Sequence, residues 1–324
     1  MRCENGSASN IISAQISKPL CRILLAKCNL KNWIFDKKMK EKYKNIDNVQ
    51  KMEVELEKTS FPIDFSNELL TLVKKTIDPF EDEGYVYNLN QATIVGLYTK
   101  LYKHFKLLIR AFNDKEYETV ILLSRPIYEA FVLMKYLILK GEESQKHYRL
   151  ISYRRRFKNY KKLEKTEGIG QVMNDKFNYA MSIDGFTFND FEAENSKEKG
   201  RKWELDGKNF SEIHKEVEIP DTYSYLYGMI SEVIHSGWGD IRQLHLTYCE
   251  GDYYIPKLDY YQNNDIRIIS PIISILIEAS EEFLKWSKRT DELQNFTEHK
   301  RINKLIAQCI LKTYENNPEK YLYG

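Results

Sequence analysis

Arg125 and Glu129 sit four residues apart in a segment, residues 119–139, that is otherwise apolar on nearly every side. A helix of that kind is normally buried. Buried charges are tolerated mainly when paired and hydrogen-bonded. The spacing places both groups on one helix face, where they can pair with each other or with a third group. Arginine ahead of glutamate is the weaker order for stabilising a helix, so helix stability alone is a poor reason for the pair. Pro126 stands between them. It removes a backbone hydrogen bond, crowds the carbonyl of Leu122 and disfavours helical backbone at Arg125, so a kink or bulge is expected beside the charges.

A second constellation is Tyr227, Ser231 and His235, spaced by four and so aligned on one helix face. His235 falls at a helix end, where the negative pole of the dipole favours its protonated form. Gly237 and Gly239 then let the chain turn. These residues suggest a shared polar pocket. Arg125 would bind an anionic group, Glu129 would orient Arg125 or His235, and His235 would give or take a proton. Tyr128, Tyr227 and Ser231 would line it. The competing reading is an interaction or scaffold protein in which the same network only fixes helix register.

A third feature is the basic run from Lys146 to Lys165, with Arg154, Arg155, Arg156 and Lys158 at its centre and Tyr153, Phe157 and Tyr160 interleaved. Such a run can bind phosphates and stack bases of a nucleic acid, or it can be a solvated helix face. The net charge of only +2 makes it a local excess.

Other chemistries have no signature. There is no P-loop, no Gly-x-Gly-x-x-Gly, no His-Glu-x-x-His and no Gly-x-Ser-x-Gly. Histidine and cysteine spacing offers no metal site, and nothing asks for a cofactor. Five cysteines without a Cys-x-x-Cys suit reduced thiols. With no apolar signal-peptide core near the N-terminus, a cytoplasmic location is the expectation. No stretch reads as a membrane span, because residues 119–139 carry Arg125, Glu129 and Lys135. Homo-oligomerisation is left open.

The elements that must position these groups are helical. With 42% hydrophobic residues and a mean hydropathy of −0.55, the chain fits a folded globular protein. Periodicity predicts helices over 66–77 with Ser66 as cap, 91–112, 116–140, 142–165 and 220–234. A further helix is predicted from the Ser270-Pro271 pair to Lys288, and a last one over 291–313. The short connection at Asn113-Asp114 makes the second and third an antiparallel hairpin. Residues 246–257 read as a small β-hairpin. The expectation is a mainly α multi-helix bundle. Residues 1–38 form an N-terminal extension outside the core, unless translation starts at Met39. Residues 39–290 form the helical domain with a polar insertion at 166–210, and 291–324 a C-terminal helix and tail.

Three short motifs carry a family resemblance: Ser124-Arg125-Pro126-Ile127-Tyr128-Glu129, Trp203-Glu204-Leu205-Asp206-Gly207, and Tyr227-x-x-x-Ser231-x-x-x-His235. They resemble the bacterial family catalogued as domain of unknown function 5677, over residues 90–290. The resemblance implies a helical fold and no assigned activity. A looser likeness is to the HEPN helical ribonucleases, which use Arg-x(4–6)-His without a metal. Here Arg242 and His245 are separated by only two residues, and His235 precedes Arg242.

Overall fold

The computed structural model describes residues 39–58, 60–78, 87–163, 169–190, 203–219, 227, 234, 238, 241–249, 253–257 and 266–316. The extension expected over 1–38 lies outside them. Helices α1 (Val49–Leu56), α2 (Phe61–Ile77), α3 (Leu89–Asn113), α4 (Tyr117–Lys140), α5 (Glu142–Leu163), α6 (Ile169–Ile183) and α7 (Phe210–Val217) come first. A π-helical turn (Ile241–His245), strands β1 (Leu246–Cys249) and β2 (Tyr253–Pro256), helix α8 (Ile266–Trp286), a 3₁₀ turn (Thr290–Phe296) and helix α9 (Thr297–Asn316) follow. This is the expected mainly α bundle. The β-hairpin is also present, antiparallel, with Leu246 opposite Pro256 and Cys249 opposite Tyr253.

The bundle is organised by the α3–α4 hairpin. Asn88 and Gln91 close a reciprocal capping box at the start of α3, satisfying two backbone donors that the helix leaves over. The stripe Ile94, Leu97, Tyr98, Leu101, Phe105, Leu108 and Phe112 is buried, and each fully buried side chain of this size contributes about 1.5–3 kcal/mol. The reversal at Asp114–Glu116 holds Lys115 at φ 62°, a left-handed conformation that the tight turn imposes. Gly141, at φ 80°, ends α4 and lets α5 begin at the next residue. Helix α8 packs against both members of the hairpin. In that interface Tyr98 donates to Ser280 Oγ at 2.6 Å, and its ring stacks on Phe283 with centroids 4.3 Å apart. Met39, Tyr43 and Ile46 join the same core, as do Ile302, Ile306 and Cys309 of α9. Arg301 on α9 ties the two ends of the chain by donating to the carbonyls of Tyr43 and Ile46.

Three expectations are corrected. Ser66 does not cap α2; it lies inside the helix and donates to the Pro62 carbonyl at 2.7 Å. Pro62, placed in the first turn where no N–H is needed, opens that helix instead. Pro271 likewise does not start α8, which begins at Ile266 and runs through it. Within 166–210, helix α6 is more than an ornament of a loop. Phe177, Met181 and Phe186 bury against Tyr153 of α5 in a small second core. The spacing of those apolar residues was diluted by the polar positions between them.

Pro126 leaves α4 unbroken from Tyr117 to Lys140. The carbonyl it frees belongs to Leu122, which is 45% exposed, so water can serve it and no bulge is needed to rescue it.

Candidate functional site

Arg125 and Glu129 meet as their spacing requires. Arg125 Nε donates to Glu129 Oε1 at 2.8 Å, with the side chains 20% and 33% exposed. The third partner is Tyr227. Arg125 Nη2 donates to the Tyr227 hydroxyl at 2.5 Å, and the guanidinium carbon lies 4.6 Å from the centroid of that ring. Burial works against the arginine's charge, but the hydrogen bonds and charges of Glu129 and Tyr227 outweigh it and raise its pKa. Arg125 is therefore committed to its neighbours as a cation.

The cavity beside this pair has a volume of about 670 Å³. Glu129 and Leu133 reach it from one face of α4, Tyr148 from α5, and Asn209, Phe210 and Ser211 from the start of α7. Trp203 and Tyr227 line it as well. Phe210 and Tyr227 lie 5.5 Å apart, ring centre to ring centre. Among the described residues the lining is four aromatic side chains, two small polar ones, one leucine and one glutamate. Arg125 is not part of it.

Among the described residues Glu129 lines the cavity and Arg125 does not. Two of the three guanidinium nitrogens are already engaged, with Glu129 and Tyr227. Among the described residues, no group donates to the second oxygen of Glu129. Tyr128 does not line the cavity. It is turned into the core, where its hydroxyl meets Nε2 of the buried His214 at 2.5 Å. Burial, and then the charge of Lys135, lower the pKa of His214 and keep the imidazole neutral. Ser231 and His235 lie outside the described residues, so only Tyr227 of that constellation takes its place in this account. Arg154, Arg155, Arg156 and Lys158 fall on α5, but their side chains lie outside the described residues.

A tight turn anchors the tryptophan-bearing wall. Leu205 and Lys208 exchange two backbone hydrogen bonds of 2.9 Å around Asp206 (φ 53°) and Gly207 (φ 73°). Two consecutive positive φ values define the Asp-Gly reversal that two-residue hairpins favour. Leu205 is fully buried, and Asp206 accepts from Ser144 Oγ (2.6 Å), Tyr136 (3.0 Å) and His147 Nδ1 (2.7 Å). The Asp206 amide also lies 3.2 Å from that same Nδ1. One nitrogen cannot donate and accept at once, and the shorter contact to the carboxylate makes Nδ1 the donor. Burial raises the Asp206 pKa, but the bonds from Ser144, His147 and Tyr136 outweigh it and lower it overall. The turn is pinned to the end of α4 and the start of α5, and it holds Trp203 beside the cavity.

The cavity is also lined by residues that the sequence reading did not single out as a site: Tyr148, Asn209, Phe210 and Ser211. One local signal was readable for the last three. Asn209 and Glu212 form a capping box that fixes the start of α7.

The chain belongs to the family of unknown function DUF5677. The family's model matches residues 91–254, which span all of the cavity's lining. No curated protein and no solved structure matches the chain. The DUF5677 match leaves out α1, α2, α8 and α9, which supply much of the surrounding core. Arg242 and His245, the pair weighed for metal-free RNA cleavage, are both exposed and do not border the cavity. Among the described residues no cluster of histidine, cysteine and carboxylate side chains could hold a metal ion. No described helix is long and apolar enough to cross a membrane.

Proposed function

We propose that this protein is a small-molecule-binding protein whose ligand is a planar heterocycle with an amino or ring N–H edge, of the nucleobase kind. The observation that carries this reading is the composition of the 670 Å³ cavity: Tyr148, Trp203, Phe210 and Tyr227 around the Glu129 carboxylate. Aromatic walls favour flat partners by stacking. A carboxylate in such a wall accepts from N–H groups, as acidic side chains do at an exocyclic amine. Arg125 holds Glu129 by its Nε bond and backs the Tyr227 ring. That pre-organisation reduces the ordering that binding would otherwise require. Asn209 and Ser211 add polar groups that would fix the ligand's orientation. The volume suits a drug-sized or nucleoside-sized molecule.

An anionic ligand on Arg125 is the weaker reading, because Arg125 is not among the described lining residues and two of its nitrogens are already engaged. A purely structural network is the other alternative, and it gives no role to an aromatic-walled void.

Calorimetric titration with adenosine, cytidine, guanosine and uridine tests the proposal. Binding of a base with an exocyclic amine is expected, weakened at least tenfold by Glu129→Gln and by Trp203→Ala. Equal loss for uridine and cytidine in Glu129→Gln would show that the carboxylate does not read an amine. Binding of inorganic phosphate or acetate at the cavity, abolished by Arg125→Met, would restore the anionic reading.

A further inference from the structure

Asn209 caps α7, and the capping bond decides how its side-chain amide is turned. Asn209 Oδ1 accepts from the backbone N–H of Glu212 at 3.1 Å, while Glu212 Oε2 accepts from the backbone N–H of Asn209 at 2.8 Å. The oxygen and nitrogen of an amide are alike in shape, so the hydrogen-bond partner assigns them. A backbone donor on the helix side requires the oxygen there and turns Nδ2, with its two protons, away from the helix. No described residue accepts from that Nδ2, and none bonds the Ser211 or Tyr148 hydroxyl.

Unpaired amides and hydroxyls are ordinary where water meets them. These three belong to the lining of one aromatic cavity, together with Glu129, and a ligand that displaces water there must replace its hydrogen bonds. Asn209 is exposed, whereas Ser211, Tyr148 and Glu129 are half-buried, so Asn209 marks the mouth. The polar groups come from two sides. Glu129 on α4 offers a carboxylate that accepts, and Asn209 and Ser211 at the start of α7 offer donors. A flat base with its amine edge on Glu129 leaves the α7 donors to a substituent that carries oxygen. Sugar hydroxyls meet that need, since their oxygens accept from Nδ2 and their protons are taken by Ser211 Oγ.

A phosphate suits the same end poorly. Glu212 holds a carboxylate against the backbone of Asn209, Glu129 lies in the lining, and Lys208, the preceding residue, is tied to Glu216. An added anion meets like charge there.

We infer that the cavity takes an uncharged nucleoside, with its amine edge on Glu129 and its sugar hydroxyls on Asn209 Nδ2 and Ser211 Oγ. The inference rests on the reading of the cavity as a heterocycle site; it adds the sugar and excludes the phosphate. Asn209 is the residue that sets the preference for nucleoside over free base.

The test is calorimetric titration of the full chain with adenosine, 9-methyladenine and adenosine monophosphate, and with the matching cytosine series. Two hydrogen bonds to the sugar should make the nucleoside bind roughly tenfold more tightly than its methylated base. The monophosphate should bind about tenfold more weakly than the nucleoside. Asn209→Ser keeps a cap of similar rank and the Glu212 half of the capping box, but lacks the outward amide. It should cut the nucleoside-to-base ratio to about threefold with an unchanged thermal midpoint. Ser211→Ala leaves the cap in place and should cut the ratio likewise, which keeps the test decisive if Asn209→Ser is unstable. A methylated base that binds as tightly as its nucleoside and is weakened by Glu129→Gln overturns the inference while leaving the heterocycle reading in place. A ratio that neither α7 variant changes overturns the assignment of the sugar to α7, and tighter binding of the monophosphate overturns the exclusion of charge. Absence of binding in both series overturns the heterocycle reading itself, and the inference with it.

Discussion

Replacing Arg125 by methionine removes one charge-assisted hydrogen bond to Glu129, one hydrogen bond to Tyr227 and the contact of the guanidinium with that ring, while keeping an apolar stem. A hydrogen bond to a charged group is worth about 1.5–3 kcal/mol when well buried. Glu129 is one-third exposed, so solvent screens its share to about 1 kcal/mol. The ring contact adds about 0.5–1 kcal/mol. The expected loss is therefore about 2 kcal/mol, below the 3–5 kcal/mol typical of breaking a fully buried pair. With a urea slope of about 3 kcal/mol/M, the midpoint should fall by roughly 0.7 M. A double-mutant cycle with Glu129→Gln isolates the pair and should return about 1 kcal/mol of coupling. An unchanged midpoint would mean that the pair is ordinary surface chemistry. A loss above about 4 kcal/mol would mean that Glu129 is sealed from water, leaving it unable to meet a ligand.

Asp206→Asn should lower stability by about 1–2 kcal/mol at neutral pH, since three donors lose an ionic acceptor. Its folded pKa is depressed, so the stabilisation is present above the ordinary carboxylate range and fades as pH falls through the folded value. Urea midpoints between pH 5 and pH 2 should fall less steeply in the variant, and parallel curves would contradict the assignment. His299, buried beside Phe65, is pushed down to about 4 by desolvation, against a weaker opposing hydrogen bond. Below the free imidazole value near 6.5 the unfolded chain takes up a proton that the folded chain refuses until about pH 4. Stability should therefore drop by up to about 1.4 kcal/mol per pH unit across that window. His299→Leu should flatten the drop, and an unchanged pH profile would show that the imidazole is reached by water.

Much of the fold was legible because long amphipathic helices announce themselves. Ile94 through Phe112 recur at helical spacing, and so does the apolar run of α4, with the tight reversal at Lys115 between them. The Arg125–Glu129 pair was legible for the same reason, since four residues on a helix fix a shared face. What escaped were features set by contacts far apart in sequence. Whether Glu129 or Arg125 faces the cavity depends on where Tyr227, 102 residues beyond Arg125, settles. Asp206 reads as a turn residue, and nothing local says that its carboxylate gathers side chains from α4 and α5. His214 escaped because a lone histidine in a short helix carries no periodic signal.

The most direct test of the central claim is a crystal of the protein soaked with an aminated heterocycle such as adenine or cytosine. The ring should lie in the cavity against at least one of Tyr148, Trp203, Phe210 and Tyr227, with its amine nitrogen at about 2.8–3.2 Å from a Glu129 oxygen. Arg125 should remain bonded to the opposite side of the carboxylate. A ring bound only outside the cavity, or one whose amine avoids Glu129 while Arg125 swings in to meet it, would contradict the account.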